Sequence, residues 1–167
     1  MHHLYLAEWK ARYPQAKLWG PLSTIRREKA LRFEAPLDAE PPADWGADID
    51  QAWFRGSIFL DEIVFFHRPS RTALVCDLIQ AFDEAYLREH WGAWRGWLAH
   101  LDGITANVPG APREWRLSFL NRAPARAARA KALGWPCEQV VVAHGQWPRN
   151  DGSAFLRRAL AWLGPEG

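Results

Sequence analysis

The sequence of 167 residues predicts an α/β fold (α+β layered) built as a single domain, residues 1–167. The first observation is a hairpin pattern within residues 60–77. The apolar runs Ile63–Phe66 and Ala73–Cys76 flank a five-residue polar tip. The second observation is another short apolar run, Gln139–Gly145. Helical patterns separate these strands, so we expect helices to pack against a sheet.

Each of the two buried strands is predicted to end on a polar side chain. The second run of the hairpin is nearly continuous in apolar residues, so we expect both its faces to be covered and Cys76 to be buried. Asp77 follows it directly, and His144 occupies the same position in the later strand. A buried carboxylate is costly unless it is paired, hydrogen-bonded or bound to a metal. We therefore expect Asp77 and His144 to share a site at one edge of the sheet.

The remaining elements are predicted from apolar periodicity and from turn residues. Short strands are expected at 16–19 and 52–54, a surface loop at 34–48, a turn-rich linker at 103–112, and helices at 3–13, 23–33, 81–101, 113–121, 123–133 and 153–163. Gly92 and Gly96 weaken the long helical region locally.

Composition excludes several classes of protein. Hydrophobic residues make up 49% of the chain and charged residues 24%, which is typical of a folded soluble domain. A formal charge of +2 gives no support for binding to nucleic acid or to a membrane surface. No apolar run is long enough for a transmembrane helix, and the first residues lack the features of a signal peptide. With only Cys76 and Cys137 present, a reducing, cytoplasmic location is expected.

Four side chains are candidates for metal binding: His2, His3, Asp77 and His144. Imidazole and carboxylate groups are common ligands of zinc and iron. Each residue also has a purely structural interpretation. Asp77 could cap a helix or turn, His144 could be a packed histidine at a strand end, and the two terminal histidines could belong to a frayed terminus.

Three stretches resemble the metallo-β-lactamase superfamily. The segment LVCDL, which contains Asp77, resembles its strand followed by a metal-bridging aspartate. VVVAHGQ, which contains His144, resembles its last metal-binding segment, and His2-His3-Leu4 resembles the end of its H-x-H-x-D-H motif. The stretches HHL…EW, FLDE…FFHRPSRT and VVAHG are most similar to an uncharacterised bacterial branch of that superfamily.

This resemblance implies an αββα sandwich that is N-terminally incomplete. The first half of the histidine motif is absent, and no histidine lies near residues 56–61, where the superfamily has one. The implied centre is mononuclear or degenerate, with zinc or iron as the metal, or with none. The leading function is a metal-dependent hydrolase-like protein that acts on an unknown small-molecule substrate. The alternative is a catalytically inactive, metal-free interaction or scaffold protein that retains the fold.

Other polar residues allow both functional and structural interpretations. His67 at the hairpin tip is interpreted as an exposed loop residue. Asp61-Glu62 could supply a general base or support a ligand, or could form a hydrogen-bonded pair at the strand edge. The basic stripe at positions 122, 126 and 129 is most simply solvated, with phosphate contact as the alternative. Cys76 is not expected to be a nucleophile, because burial and a neighbouring carboxylate disfavour the thiolate.

An incomplete sandwich is expected to self-associate. Missing strands would leave a sheet edge and an apolar face exposed, and such surfaces usually form interfaces. Trp91, Trp94 and Trp97 could cover that surface within the chain or pair across a dimer axis. A homodimer or larger homo-oligomer is therefore predicted, with no membrane or nucleic-acid partner.

Overall fold

The strands form one four-stranded mixed sheet. A computed structural model describes residues 4–164. The strands are β1 (Ile49–Phe54), β2 (Glu62–His67), β3 (Thr72–Ala81) and β4 (Gln139–Gly145), and they lie in that order. β1, β2 and β3 pair antiparallel, whereas β4 is parallel to β3. The α/β class, the hairpin and the strand before His144 are confirmed.

The helices are numbered in chain order. They are α1 (Leu6–Arg12), α2 (Leu22–Arg27), α3 (Glu84–Tyr86), α4 (Gly92–Asp102), α5 (Arg113–Ser118), α6 (Ala123–Leu133) and α7 (Gly152–Ala159). A π-helical turn, Leu87–Trp91, joins α3 to α4, and a 3₁₀ turn, Ala161–Leu163, follows α7. None of the helices in the described part of the chain has the length and apolar character needed to cross a bilayer.

The core lies between one face of the sheet and the C-terminal helices. Strand β2 alternates strictly, with Glu62, Val64 and Phe66 buried and the residues between them only half-buried. Phe66 stacks on the ring of Trp135, with 5.1 Å between centroids. Alternation along a strand sends successive side chains to opposite faces, so one face packs against α6 and α7 and the other is left partly open.

That open face corrects the prediction that β3 is covered on both sides. Leu74 and Cys76 are exposed, because they point away from the helices that bury Ala73 and Val75. The apolar run was read as continuous, but its burial alternates residue by residue. A half-covered strand in an antiparallel pair shows this alternation, whereas a strand covered on both faces does not.

Several predicted boundaries also change. Residues 16–19 form no regular strand; Leu18 and Gly20 only accept backbone hydrogen bonds from Glu34 and Leu37. The helix predicted at 23–33 ends at Arg27, and the one predicted at 113–121 ends at Ser118. The predicted helix 81–101 begins only at Glu84 and is interrupted by the π-helical turn and by Gly92, whose φ is +74°.

Candidate functional site

The centre of the candidate site is a large bulge in β3. Thr72–Val75 pair with Gln139–Val142, and pairing resumes only at Gln80 with His144. Four residues of β3, 76–79, therefore face the single residue Ala143 of β4. Such bulges re-aim side chains and interrupt the ladder of backbone hydrogen bonds. Asp77 lies within this bulge, so the prediction that it ends the strand is wrong; β3 continues to Ala81.

The carboxylate of Glu62 holds the bulged backbone. Its Oε1 accepts the N–H of Cys76 at 2.8 Å, and its Oε2 accepts the N–H groups of Asp77 at 2.8 Å and Leu78 at 2.7 Å. These donors have left the β3–β4 ladder and would otherwise lack partners in a buried setting. Glu62 is placed there by the alternation of β2, which turns it towards the core. The carboxylate thus replaces the missing strand pairing.

Burial also changes the acidity of Glu62. Desolvation raises the pKa of Glu62 to about 7, because the charged form loses its water. The three backbone N–H groups stabilise the charged form and offset part of this rise, while the carboxylate of Asp77 adds to it. Three interpretations were given for Glu62: a general base, support of a ligand and a hydrogen-bonded pair at the strand edge. Its side-chain hydrogen bonds are all with the backbone of the bulge, including that of Asp77.

The structure brings Asp77 and His144 together. Nε2 of His144 lies 3.0 Å from Oδ1 of Asp77, and as a hydrogen bond the ring N–H donates to the carboxylate. The side chain of Asp77 is 19% exposed and that of His144 39%, so the pair is open to solvent on one side. Their predicted convergence is confirmed, although the two lie across neighbouring strands rather than at the end of both.

The end of β4 requires glycine. Gly145 has φ of +106°, and a Cβ at this position would lie 2.1 Å from the carbonyl oxygen of Ala81. No other residue fits so close an approach of two backbones. The next residue, Gln146, donates its N–H to that same carbonyl at 2.8 Å. The close contact between Gly145 and Ala81 therefore fixes the backbone directly after His144.

Aromatic rings and further polar groups border the pair. The ring of Phe82 lies 6.3 Å from that of His144, and Trp147 donates its indole N–H to the carbonyl of Val142 at 2.9 Å. The side-chain amide of Gln146 donates to Asp83 at 3.1 Å. Of these groups, the ring of Phe82 contacts His144 directly, and the imidazole stays partly exposed.

Cys76 is exposed, in contrast to its predicted burial, yet its thiol is a weak acid. Local desolvation of the sulfur raises the pKa of Cys76 to about 11, and the carboxylates of Glu62 and Asp77 add to the rise. The thiolate is the reactive form of cysteine. The raised pKa of Cys76 therefore supports the expectation that it is not a nucleophile. Its exposure to solvent does not support it.

The described residues hold two of the four predicted metal ligands, Asp77 and His144. Within residues 4–164, no group of three or more histidine, cysteine, aspartate or glutamate side chains could hold a metal ion. Catalytic zinc usually has three protein ligands and structural zinc four. Asp77 and His144 fit by donor type but not by number. His2 and His3, the other predicted ligands, lie outside the described residues.

A cavity of about 710 Å³ lies apart from this pair. It is lined by residues of the β1–β2 connection, of the start of α2 and of the loop before β1. Trp53, Arg55 and Asp61 contribute its aromatic and charged groups. Neither Asp77 nor His144 lines it.

The basic stripe of α6 is largely structural. Arg129 is buried and donates from Nε to the carbonyl of Leu160 at 3.1 Å, and Arg126 donates to that of Leu163 at 2.8 Å. Both arginines thus satisfy carbonyl groups near the end of the last helix, where a positive charge is favourable. The interpretation of the stripe as solvated is wrong for Arg129.

No family model and no curated protein matches this sequence. The resemblance to the metallo-β-lactamase superfamily therefore rests on the three short motifs alone. Two of those motifs supply Asp77 and His144, which meet in the fold.

Sequence reasoning named one of the supporting residues only in general terms and missed the other. It left the role of Glu62 open between catalysis, support and strand pairing, although a carboxylate at an inward position of an alternating strand is itself a signal of a buried polar role. It noted Gly145 only as the residue after His144. A glycine directly after a buried strand indicates a close backbone approach.

Proposed function

We propose that this chain is a metal-dependent, hydrolase-like protein of the metallo-β-lactamase type with a mononuclear site. Asp77, His144 and one of His2 and His3 would be the ligands, and zinc or iron the metal. The observation that supports this most directly is the 3.0 Å separation of His144 Nε2 and Asp77 Oδ1.

The separation agrees with two ligands of one ion. With metal–ligand bonds of about 2.0–2.2 Å and tetrahedral angles, two donor atoms lie about 3.3 Å apart. A movement of a few tenths of an ångström would convert the present hydrogen bond into a shared metal. The half-open pair also leaves room for solvent or substrate on its exposed side.

The metal would supply a bound water of lowered pKa and a Lewis acid for a polarised substrate bond. Residues of the chain would hold the two ligands in position. Glu62 fixes the backbone on which Asp77 is carried, and Gly145 sets the course of the strand that carries His144. Metal ligands commonly depend on such supporting contacts for their orientation.

The complete αββα sandwich is also part of this proposal. The face of the sheet that bears Leu74, Cys76 and the half-buried Ile63, Phe65 and Val141 is open in the described part of the chain, and a second sheet would pack there. A reducing, cytoplasmic setting fits the two free cysteines, Cys76 and Cys137. The substrate would be a small molecule of a class still to be found.

Metal content tests the ligand assignment. Untagged protein purified without chelator should carry zinc or iron at about one equivalent. His144→Ala and Asp77→Ala should lose it, whereas His67→Ala should keep it. His67 is a suitable control because its ring Nδ1 bonds Ser70 Oγ at 2.7 Å and it lies at the far end of the hairpin. Equal metal content in all four proteins would refute the assignment.

The runner-up is a metal-free interaction or scaffold protein. It is favoured because Asp77 and His144 already hydrogen-bond to each other. The carboxylate of Glu62 likewise already accepts three backbone N–H groups. A histidine–carboxylate pair of this kind is stable without a metal. Substoichiometric metal in the parent protein, unaffected by His144→Ala, would favour this function.

A further inference from the structure

Helix α4 is amphipathic in an unusual sense: its small residues face the protein and its large residues face solvent. Ala99 is buried against Leu87 and Ile104, and a Cβ built on Gly96 would lie 3.8 Å from Leu87. Among the named elements, the main neighbour of α4 is the preceding π-helical turn. The inner side of α4 therefore rests on a small cluster and needs no large side chain.

The outer side carries a continuous apolar stripe. Trp94 is 65% exposed, Trp97 62%, Leu101 43% and Leu98 37%. Their spacing of three and four residues places them along one side of the helix, opposite Ala99. A stripe of this kind normally faces a core, so its exposure over the length of α4 indicates an interface.

The sequence-based alternative that these tryptophans cover the sheet within the chain is not what the described residues show. Trp91 is half-buried, and its ring packs against Phe82 with 4.9 Å between centroids. Trp94 and Trp97 point outward instead. The stripe thus remains available to a partner.

We propose that the stripe Trp94–Trp97–Leu98–Leu101 pairs with the same stripe of a second copy, with the two α4 helices antiparallel about a two-fold axis. The axis would pass between Trp97 and Leu98, so that Trp94 meets Leu101 of the second copy. Isologous pairing of this type is the commonest way in which proteins form dimers.

The charges beside the stripe fit this arrangement. At 100° per residue, Arg95 and Asp102 lie on the same flank of α4, one near each end. In an antiparallel two-fold pair, equal flanks meet, so Arg95 lies close to Asp102 of the second copy, and the contact occurs twice. A parallel pair would bring each flank against the opposite flank of the second copy, so Arg95 and Asp102 would not meet and this complementarity would be lost.

The apolar area of the stripe is also large enough for a weak dimer interface. Given that a tryptophan side chain can bury about 150–250 Å², the stripe offers on the order of 500 Å² per copy. A two-fold pair would bury about 1,000 Å² in total, which is the lower limit of a specific interface. We therefore expect a dimer that dissociates on dilution rather than an obligate one.

A membrane surface is the less fitting partner. Interfacial helices place several lysine and arginine residues beside their apolar side. Helix α4 itself carries one arginine and one aspartate on this flank, which suits a self-complementary protein contact. The nearby Arg113 and Arg116 donate to the carbonyl groups of Leu101 and Asp102 at the C-terminal end of the helix. Vesicle binding is therefore a competing outcome of the test.

The test is sedimentation or light scattering across a dilution series. The parent should change from dimer to monomer on dilution, and Trp97→Glu should be monomeric throughout. Phe59→Glu is the matched control, because Phe59 is 71% exposed and lies outside α4; it should behave as the parent does. Far-UV circular dichroism should show that all variants are folded.

A charge exchange tests the antiparallel geometry. Arg95→Asp and Asp102→Arg should each weaken the dimer several-fold, and the double variant should recover much of the loss. Recovery requires the two residues to meet across the axis. A double variant that is weaker than either single variant would overturn this geometry.

Two results would overturn the proposal as a whole. One is a parent that is monomeric at high concentration, and binding of phosphatidylglycerol vesicles through Trp97 would then identify a membrane surface as the partner. The other is a dimer that Trp97→Glu leaves intact. Neither result bears on the metal site, since Asp77 and His144 are outside α4; metal content therefore separates failure of this proposal from failure of the proposed function.

Discussion

The side chain of Glu62 binds the backbone of Asp77: its Oε2 accepts the Asp77 N–H at 2.8 Å. Asp77 in turn accepts from His144, so a buried carboxylate on β2 is linked through β3 to an imidazole on β4. The order of strands makes this chain of contacts direct, because β3 lies between the other two. The predictions below test its separate steps.

The first prediction concerns stability and pH. The pKa of Glu62 is about 7 in the folded protein, against an ordinary value of 4.5. The folded state therefore binds this proton more tightly, so the contribution of Glu62 to the free energy of unfolding should be greatest below pH 4.5 and fall as the pH rises to 7. At about 1.4 kcal/mol per pKa unit, the loss is about 3 kcal/mol. Urea unfolding in the presence of chelator measures it.

Glu62→Gln separates this effect from the other titrating groups. At pH 4.5 the amide should be less stable than the parent by about 1–3 kcal/mol, because it cannot accept all three N–H groups, and this difference should shrink or reverse by pH 7. Its stability should change less between pH 4.5 and 7 than that of the parent. Glu114→Gln, at an exposed position of α5, should keep the slope of the parent. Parallel curves for the parent and Glu62→Gln would contradict the raised pKa.

The second prediction concerns the thiol of Cys76. Its pKa of about 11, against an ordinary 9.0, lowers the thiolate fraction near neutral pH by about 100-fold. In chelator-treated Cys137→Ala protein, Cys76 should therefore react far more slowly with a disulfide reagent than the same thiol does after unfolding in urea. Asp77→Asn should speed up the reaction, because it removes a negative charge. Equal rates of reaction with the disulfide reagent in folded and unfolded protein would contradict the raised pKa of Cys76.

The third prediction concerns the strand junction after His144. Gly145→Ala should destabilise the fold by roughly 2 kcal/mol or more, since the new methyl group would collide with the carbonyl of Ala81 and φ is positive. Gly96→Ala is the opposite control: it lies within a helix, its new methyl has ordinary contact distances, and it should stabilise by about 0.5–1 kcal/mol. Thermal unfolding of both variants measures the difference.

The fourth prediction concerns metal retention. If His144 and one of His2 and His3 bind the metal, metal should be lost as the pH falls, because a protonated imidazole cannot coordinate. Dialysis at a series of pH values, followed by elemental analysis, gives the curve. His2→Ala/His3→Ala protein should release metal at a higher pH than the parent or hold none. A retention curve independent of pH would exclude histidine ligands.

Local sequence patterns were sufficient for the hairpin, for β4 and for α6, whose predicted bounds 123–133 agree with the structure. They were sufficient also for the pairing of Asp77 with His144, because both follow strong strand signals. They failed at the long region 81–101, where Gly92 has a positive φ and the π-helical turn breaks the periodicity. Leu87, Arg88 and Glu89 in that turn are good helix formers, so intrinsic propensity does not reveal where the break will fall.

The sequence by itself determined which residues could form strands and which polar side chains would terminate or interrupt them, because alternation and β-branched composition act over a few residues. Only the tertiary structure decided that Asp77 lies in a bulge, since that depends on the register of β3 with a strand about 65 residues later and on the carboxylate of Glu62. It also decided that Trp94 and Trp97 face solvent: their spacing defines a helical stripe, but which side of α4 meets the protein depends on Leu87 and Ile104, whose contacts no local pattern encodes.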